Sequence, residues 1–194
     1  MARIERETEQ ISRLHVPGEE DVPDEVKELW APSLEKLGFV PNVLRLYALR
    51  PDNLLAWNAW YDVAMKGVSG LTKPEREMIA VVVSVANDCA YCMAAHGAAL
   101  RKLTKDPALA DAIAADHATA PVEPRVRAML DYAVKLTLRP TEMTESDVAA
   151  LRDAGWSDED VMDIAEVTGL FNMSNRMASG LGWAPNPEYE SLGR

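Results

Sequence analysis

The sequence predicts an all-α fold, a single domain of about seven or eight helices, on three observations. Apolar residues recur at helical spacing through most of the chain, and no stretch alternates as a set of strands would. Helix-start chemistry stands ahead of several of these runs, as in Thr72-Lys73-Pro74-Glu75, where a hydroxyl is followed three residues later by a carboxylate. At 194 residues, with no low-complexity linker and no repeat of fixed period, the chain suits one domain that buries its core without disulfide staples.

Residues 1–20 read as a polar N-terminal arm, 21–183 as the helical domain and 184–194 as a tail, with Pro185 and Pro187, that packs on a surface or a neighbouring subunit. Asp21 is placed to cap a helix that opens at Pro23 and runs to about Leu37, with Gly38 just past its end. A turn at Phe39-Val40-Pro41-Asn42 leads to a short helix reaching about Leu49. Pro51 then starts a helix carrying Leu54, Leu55, Trp57, Trp60 and Val63, broken by Gly67 and Gly70. Ile79, Val81, Val82, Val83 and Val85 would permit a strand. The capping box at Thr72 and the Ala-rich continuation make this stretch a buried helix instead. Asp88 is placed to cap the next helix, from Cys89 to about Lys102. Further helices follow over about 107–115, 124–138 and 145–154. A last long one, opened by Ser157 and the acids Asp158, Glu159 and Asp160, ends near Ser179-Gly180.

Charge and composition narrow the function. A net charge of −11, from 31 acidic against 20 basic residues, argues against a phosphate-binding surface and so against nucleic acid. The charged start MARIERETEQ has no apolar core of a signal peptide, and the run Met78 to Ala86 is too short to span a bilayer. With only 2 cysteines the chain reads as a reduced, cytoplasmic protein without a membrane partner.

Those two cysteines sit in Cys89-Ala90-Tyr91-Cys92, with His96 four residues on. On a helix, residues three apart are separated by about 4.5 Å along the axis, so Cys89 and Cys92 are neighbours within disulfide reach. His96, about 6 Å beyond Cys92 on the same face, leans back over it and lies about 10 Å from Cys89. Cys92 therefore receives the histidine and Cys89 the helix N-terminus. A thiol of pKa about 8.5 must shift by roughly two units, about 2.7 kcal/mol, to be mostly thiolate at neutral pH. A helix N-terminus supplies about 0.3–1 kcal/mol of this, so a neighbouring imidazolium is needed as well. Glu77, an acid beside a very apolar segment, is the candidate to orient that imidazole or relay its proton; Glu75 is already accounted for as a cap partner. Tyr91 suits either a hydrogen-bond donor or a packing residue, and Trp30, Trp57 and Trp60 read as core or subunit contacts.

No cofactor or metal is called for. Zinc wants four ligands, and beyond this cluster only His15 and His117 remain as nitrogen donors, at no diagnostic spacing. Haem attachment needs His where Met93 stands, and an iron–sulfur cluster wants four thiolates.

Glu77, Cys89-Ala90-Tyr91-Cys92 and His96 together resemble the alkylhydroperoxidase D (AhpD)-like, carboxymuconolactone decarboxylase superfamily, whose pattern is Glu, eleven residues, CxxC, three residues and His. Leu37-Gly38-Phe39-Val40-Pro41-Asn42-Val43, Arg50-Pro51 and Phe171-Asn172-Met173-Ser174-Asn175-Arg176-Met177-Ala178 look similar to its peroxidase-related branch. The best-known members carry a second histidine where this chain has Tyr91. The resemblance implies an all-α homo-oligomer and a thiol-dependent peroxidase acting on hydrogen peroxide or organic hydroperoxides. On that pattern Cys92 attacks the peroxide and Cys89 resolves the sulfenic acid as a disulfide. His96 and Glu77 relay the proton, and a dithiol reductant protein or small thiol regenerates the pair. Two other readings stay open. One is a carboxymuconolactone decarboxylase-like enzyme that needs no thiol. The other is a redox-responsive binding or oligomerisation module.

Overall fold

The computed structural model describes residues 10–194, and in them the chain is all α-helical. The first nine residues of the arm, on which the absence of a signal peptide was read, lie outside the described residues. Nine α-helices follow in order: α1 (Asp24–Leu37), α2 (Asn42–Tyr47), α3 (Pro51–Lys66), α4 (Lys73–Ala86), α5 (Ala90–Thr104), α6 (Pro107–Asp116), α7 (Pro124–Leu138), α8 (Glu145–Asp153) and α9 (Asp158–Leu181). Eight are longer than one or two turns. The ninth, α2, has six residues.

The capping chemistry accounts for the starts of the two helices that matter most to the site. Thr72 and Glu75 form the expected capping box on α4, and Glu75 also pairs with Arg125 on α7 at 3.0 Å. Ser157 and Asp160 do the same for α9, where Asp160 additionally accepts from the Gly70 backbone amide at 2.7 Å. At the end of α1, Gly38 takes a φ of +81°, a left-handed turn that a side chain would strain. Asp21 does not cap α1, contrary to the sequence reading. It closes a short 3-10 turn, Glu19–Asp21, by accepting from the Gly18 amide, and Pro23 takes the cap position without a side-chain bond.

Helix α4 runs through the centre and packs on α5, α7 and α9. Its β-branched residues serve this role: Ile79, Val81, Val82 and Val83 are buried all round, which a helix inside a bundle tolerates and an amphipathic surface helix does not. With Leu130 and Met129 of α7 and Ile164, Val167 and Leu170 of α9 they form the main core. Among the described residues no helix is long and apolar enough to cross a membrane. The tail folds back on its own chain. Arg101 of α5 donates to the carbonyls of Tyr189 and Leu192, and the arm meets the end of α9 where the Arg13 amide donates to the Leu181 carbonyl.

Candidate active site

The site forms where α4 hands over to α5. Asp88 sits in the left-handed region, at φ +50°, as short polar residues can, and so turns the chain rather than capping the helix. The cap is Cys89 itself. Its backbone is extended, its amide donates to the Ser84 carbonyl at 2.9 Å, and its sulfur accepts from the Cys92 amide at 3.4 Å. The sequence reading that put Asp88 at the cap is corrected by one position, and the correction places a sulfur at the positive end of α5.

Both cysteines are free and almost fully buried, at 1% and 2% exposure, with their sulfurs 2.7 Å apart. Their ionisation is shared. The hydrogen bond that Cys92 gives lowers the Cys89 thiol to about 7; burial opposes this, while the Cys92 amide, the charge of His96 and the Ser179 hydroxyl assist. Cys92 moves the other way, because it gives its hydrogen to Cys89, is buried and faces the Cys89 charge; Asn175 and Ser84 pull it back down. The pair thus releases one proton easily and holds the second. An ultraviolet thiolate titration should show one thiolate per chain appearing around pH 7, with no second one near neutrality. Two thiolates appearing together above pH 8 would contradict this arrangement.

His96 is turned differently from the helical expectation. Its Nδ1 donates to Glu77 Oε2 on α4 at 2.7 Å, and its ring meets Phe171 of α9 edge-on at 4.5 Å. No hydrogen bond joins it to either sulfur. The i, i+4 spacing does put His96 on the face of Cys92, but a carboxylate from the neighbouring helix, nearly buried itself, captures the ring by a charge-assisted bond. Glu77 therefore stands where the sequence placed it, against the imidazole. Tyr91 is a packing residue: its hydroxyl accepts from the Val43 amide at 3.0 Å, and its ring meets Trp183 edge-on.

Beside His96 and Glu77 lies a cavity of about 580 Å³ whose aromatic wall comprises Trp57, Tyr61, Tyr91, Phe171, Trp183 and Tyr189. The cysteines are not on that wall. The buried Nε1 atoms of Trp57 and Trp183 and the Oγ of Ser174, all on lining residues, have no hydrogen-bond partner among the described residues. Sequence reasoning missed this wall, reading Trp57 only as core or contact. It missed Ser84 as well, although a single hydroxyl among Val81, Val82, Val83 and Val85 was a visible signal. Trp60 is accounted for differently, by a bond from its Nε1 to Glu166 at 2.7 Å. Among the described residues no three His, Cys, Asp or Glu side chains group as a metal site would.

Residues 51–135 match the carboxymuconolactone decarboxylase family. A solved structure of an uncharacterised peroxidase-related protein from Ralstonia eutropha JMP134, described as an alkylhydroperoxidase AhpD core, is 45% identical, with a TM-score of 0.93 over 96% of this chain and 98% of that one. The chain belongs to the AhpD-like, carboxymuconolactone decarboxylase superfamily. A second solved structure, of an uncharacterised peroxidase-related protein from Silicibacter sp. TM1040, is also 45% identical, with a TM-score of 0.92 over 97% of this chain and 98% of that one. The debrominase Bmp8 shares the AhpD-like fold at 16% identity and a TM-score of 0.79, covering 94% of this chain and 95% of its own. No curated protein matches the chain significantly.

Proposed function

We propose that this AhpD-like protein is a thiol-dependent peroxidase in which Cys92 is oxidised by a peroxide and Cys89 resolves it. The observation that carries the reading is the buried, reduced sulfur pair at the start of α5, 2.7 Å apart and next to the His96–Glu77 pair. The single negative charge rests on Cys89, and the proton of Cys92 passes to it. The Cys92 thiolate then attacks the outer peroxide oxygen. The O–O bond breaks, His96 protonates the departing alkoxide or hydroxide, and Cys92 becomes a sulfenic acid. Cys89 returns its proton to His96 and attacks the Cys92 sulfur. Hydroxide leaves, takes that proton as water, and the disulfide remains. Two thiol hydrogens are consumed, one in the alcohol and one in the water.

The split between the two sulfurs fits this order. A thiol of higher pKa is the stronger nucleophile once ionised, and one of lower pKa the better leaving group, so Cys92 attacks and Cys89 departs when an external thiol reopens the disulfide. A dithiol protein or small thiol supplies those electrons, and the chain works as a homo-oligomer. The aromatic wall of the cavity beside His96 favours an organic hydroperoxide with an apolar body. In Cys89→Ser, one equivalent of peroxide should leave a sulfenic acid on Cys92 that dimedone traps and mass spectrometry locates. Dimedone on no residue, with the peroxide unconsumed, would count against the reading.

One observation favours a second reading. The cavity is walled by His96 and Glu77 and not by sulfur, as a decarboxylase-like enzyme that moves protons without thiols would require. That enzyme would turn over a carboxylated lactone even with both cysteines replaced by serine.

A further inference from the structure

Trp183, Tyr189 and Leu192, at the end of the chain, line the cavity beside His96. Trp183 and Tyr189 also pack in the apolar cluster that contains both cysteines. One short segment therefore bounds the cavity and shares a core with the redox pair.

Two anchors hold this segment. At its start, three bonds tie the tail to the turn before α2. The Asn42 amide donates to Asn186 Oδ1 at 2.7 Å, Asn42 Nδ2 donates to the Ala184 carbonyl at 3.0 Å, and Asn186 Nδ2 donates to the Val40 carbonyl at 3.3 Å. Both asparagines are buried. At its end, Arg101 of α5 donates from Nε to the Leu192 carbonyl at 3.1 Å and from Nη2 to the Tyr189 carbonyl at 2.7 Å. Gly193 then passes so close to α5 that a side chain there would begin 2.9 Å from Arg101 Cβ and the Lys102 amide nitrogen.

Arg101 is the more costly anchor. It is 7% exposed, and among the described residues it pairs with no carboxylate. Burying a guanidinium is unfavourable unless its hydrogens are satisfied. Both of its bonds go to the tail, so this position is built around holding that segment. The half-exposed pair Arg194–Asp111, at 3.3 Å, adds little by comparison. Between the anchors, the turn Pro187–Glu190 carries Tyr189, whose ring meets Phe39 edge-on at 5.5 Å and Tyr91 edge-on at 6.4 Å. Rings set edge to face in this way suit contact with a further ring.

We propose that the tail is the selecting wall of the cavity: Tyr189 bears on the apolar body of the substrate, and Arg101 is the positioning residue that fixes Tyr189 there. That the substrate is a hydroperoxide rests on the peroxidase reading above. The wall itself would serve any ligand with such a body.

The test uses cumyl alcohol, the product left by cumene hydroperoxide, as a ligand that cannot react. Its affinity is read by calorimetry in wild type, Tyr189→Ala, Arg101→Ala and Asp111→Asn. Binding should weaken about tenfold in the first two variants. It should stay within about twofold in Asp111→Asn, which loses only the surface pair. The same proteins are then assayed with cumene hydroperoxide and with hydrogen peroxide. In Tyr189→Ala and Arg101→Ala, the ratio of kcat/KM for the larger peroxide to that for the smaller should fall about tenfold, through KM. Unchanged affinity and an unchanged ratio in both variants would overturn the proposal. So would an equal loss in Asp111→Asn, or equal losses with both peroxides, which mark general damage to the site. If Arg101→Ala loses its helical circular dichroism, Tyr189→Ala decides alone. No peroxide enters the calorimetry. Weakened binding in the variants beside a wild type that consumes no peroxide would therefore sink the peroxidase reading and leave the wall standing.

Discussion

Replacing Cys92 by serine should reduce peroxide turnover by at least about a thousandfold, because a hydroxyl at the same place is neither ionised nor nucleophilic enough to take the outer peroxide oxygen. The effect should be confined to chemistry. Cys92 is a small buried residue 2.7 Å from the Cys89 sulfur, and serine fits the space with a hydroxyl that can donate to the Cys89 thiolate, so folding should be kept. Cys89 should keep a low pKa in this variant, because the serine hydroxyl can replace the bond from Cys92, the largest of the influences on it. The measurement is steady-state peroxide consumption with excess dithiol, beside a thiolate titration of the same variant. Turnover within a few fold of wild type would mean that peroxide reacts elsewhere or not at the sulfurs at all.

The second large effect is expected at His96. His96→Ala removes both the proton donor for the leaving oxygen and a positive charge that helps hold the Cys89 anion. A loss of about 10²–10⁴-fold in kcat/KM is expected for removal of a general acid–base group. The sign of the pH effect follows from the charge. The first thiol ionisation, near pH 7 in the wild type, should move upward, so the rising limb of the pH–rate profile should move to higher pH as well. Glu77→Gln keeps a hydrogen-bond acceptor for His96 Nδ1 but no negative charge, and should give a smaller loss in the same direction. If both variants keep the wild-type midpoint while losing activity, the pair acts on the leaving oxygen alone and not on the thiols.

The helices were legible in the sequence wherever their ends carried their own chemistry. Thr72 with Glu75, Ser157 with Asp160 and Gly38 after Leu37 each place a boundary within a residue of where it lies, since a capping bond or a positive φ is a local property. Asp21 and Asp88 show the limit of that reasoning. Both are good cap residues by type, yet one closes a 3-10 turn and the other takes a left-handed turn, and in each case the next suitable position becomes the cap.

The site was legible to the same depth. The spacing of Cys89, Cys92 and His96 on one helix follows from its pitch, and Glu77 was found as an acid without an evident partner. The direction of the His96 ring was not legible, because it is decided by a carboxylate on another helix. The same holds for the influence of Asn175, on α9 and eighty-three residues away in the chain, which lowers the Cys92 thiol against its other neighbours. Trp57, Phe171 and Tyr189 likewise form one wall through tertiary packing of α3, α9 and the tail.

The central claim is that the two sulfurs are a working redox pair, and one measurement addresses it directly. Fully reduced protein is mixed with one equivalent of an organic hydroperoxide and no reductant, then quenched with acid and alkylated for intact-mass and peptide analysis. The account predicts that one equivalent of alcohol forms, both thiols are lost together, and a Cys89–Cys92 disulfide within one chain accounts for the loss. Intact hydroperoxide beside two alkylatable cysteines, or alcohol formed at the same rate in Cys92→Ser, would contradict it.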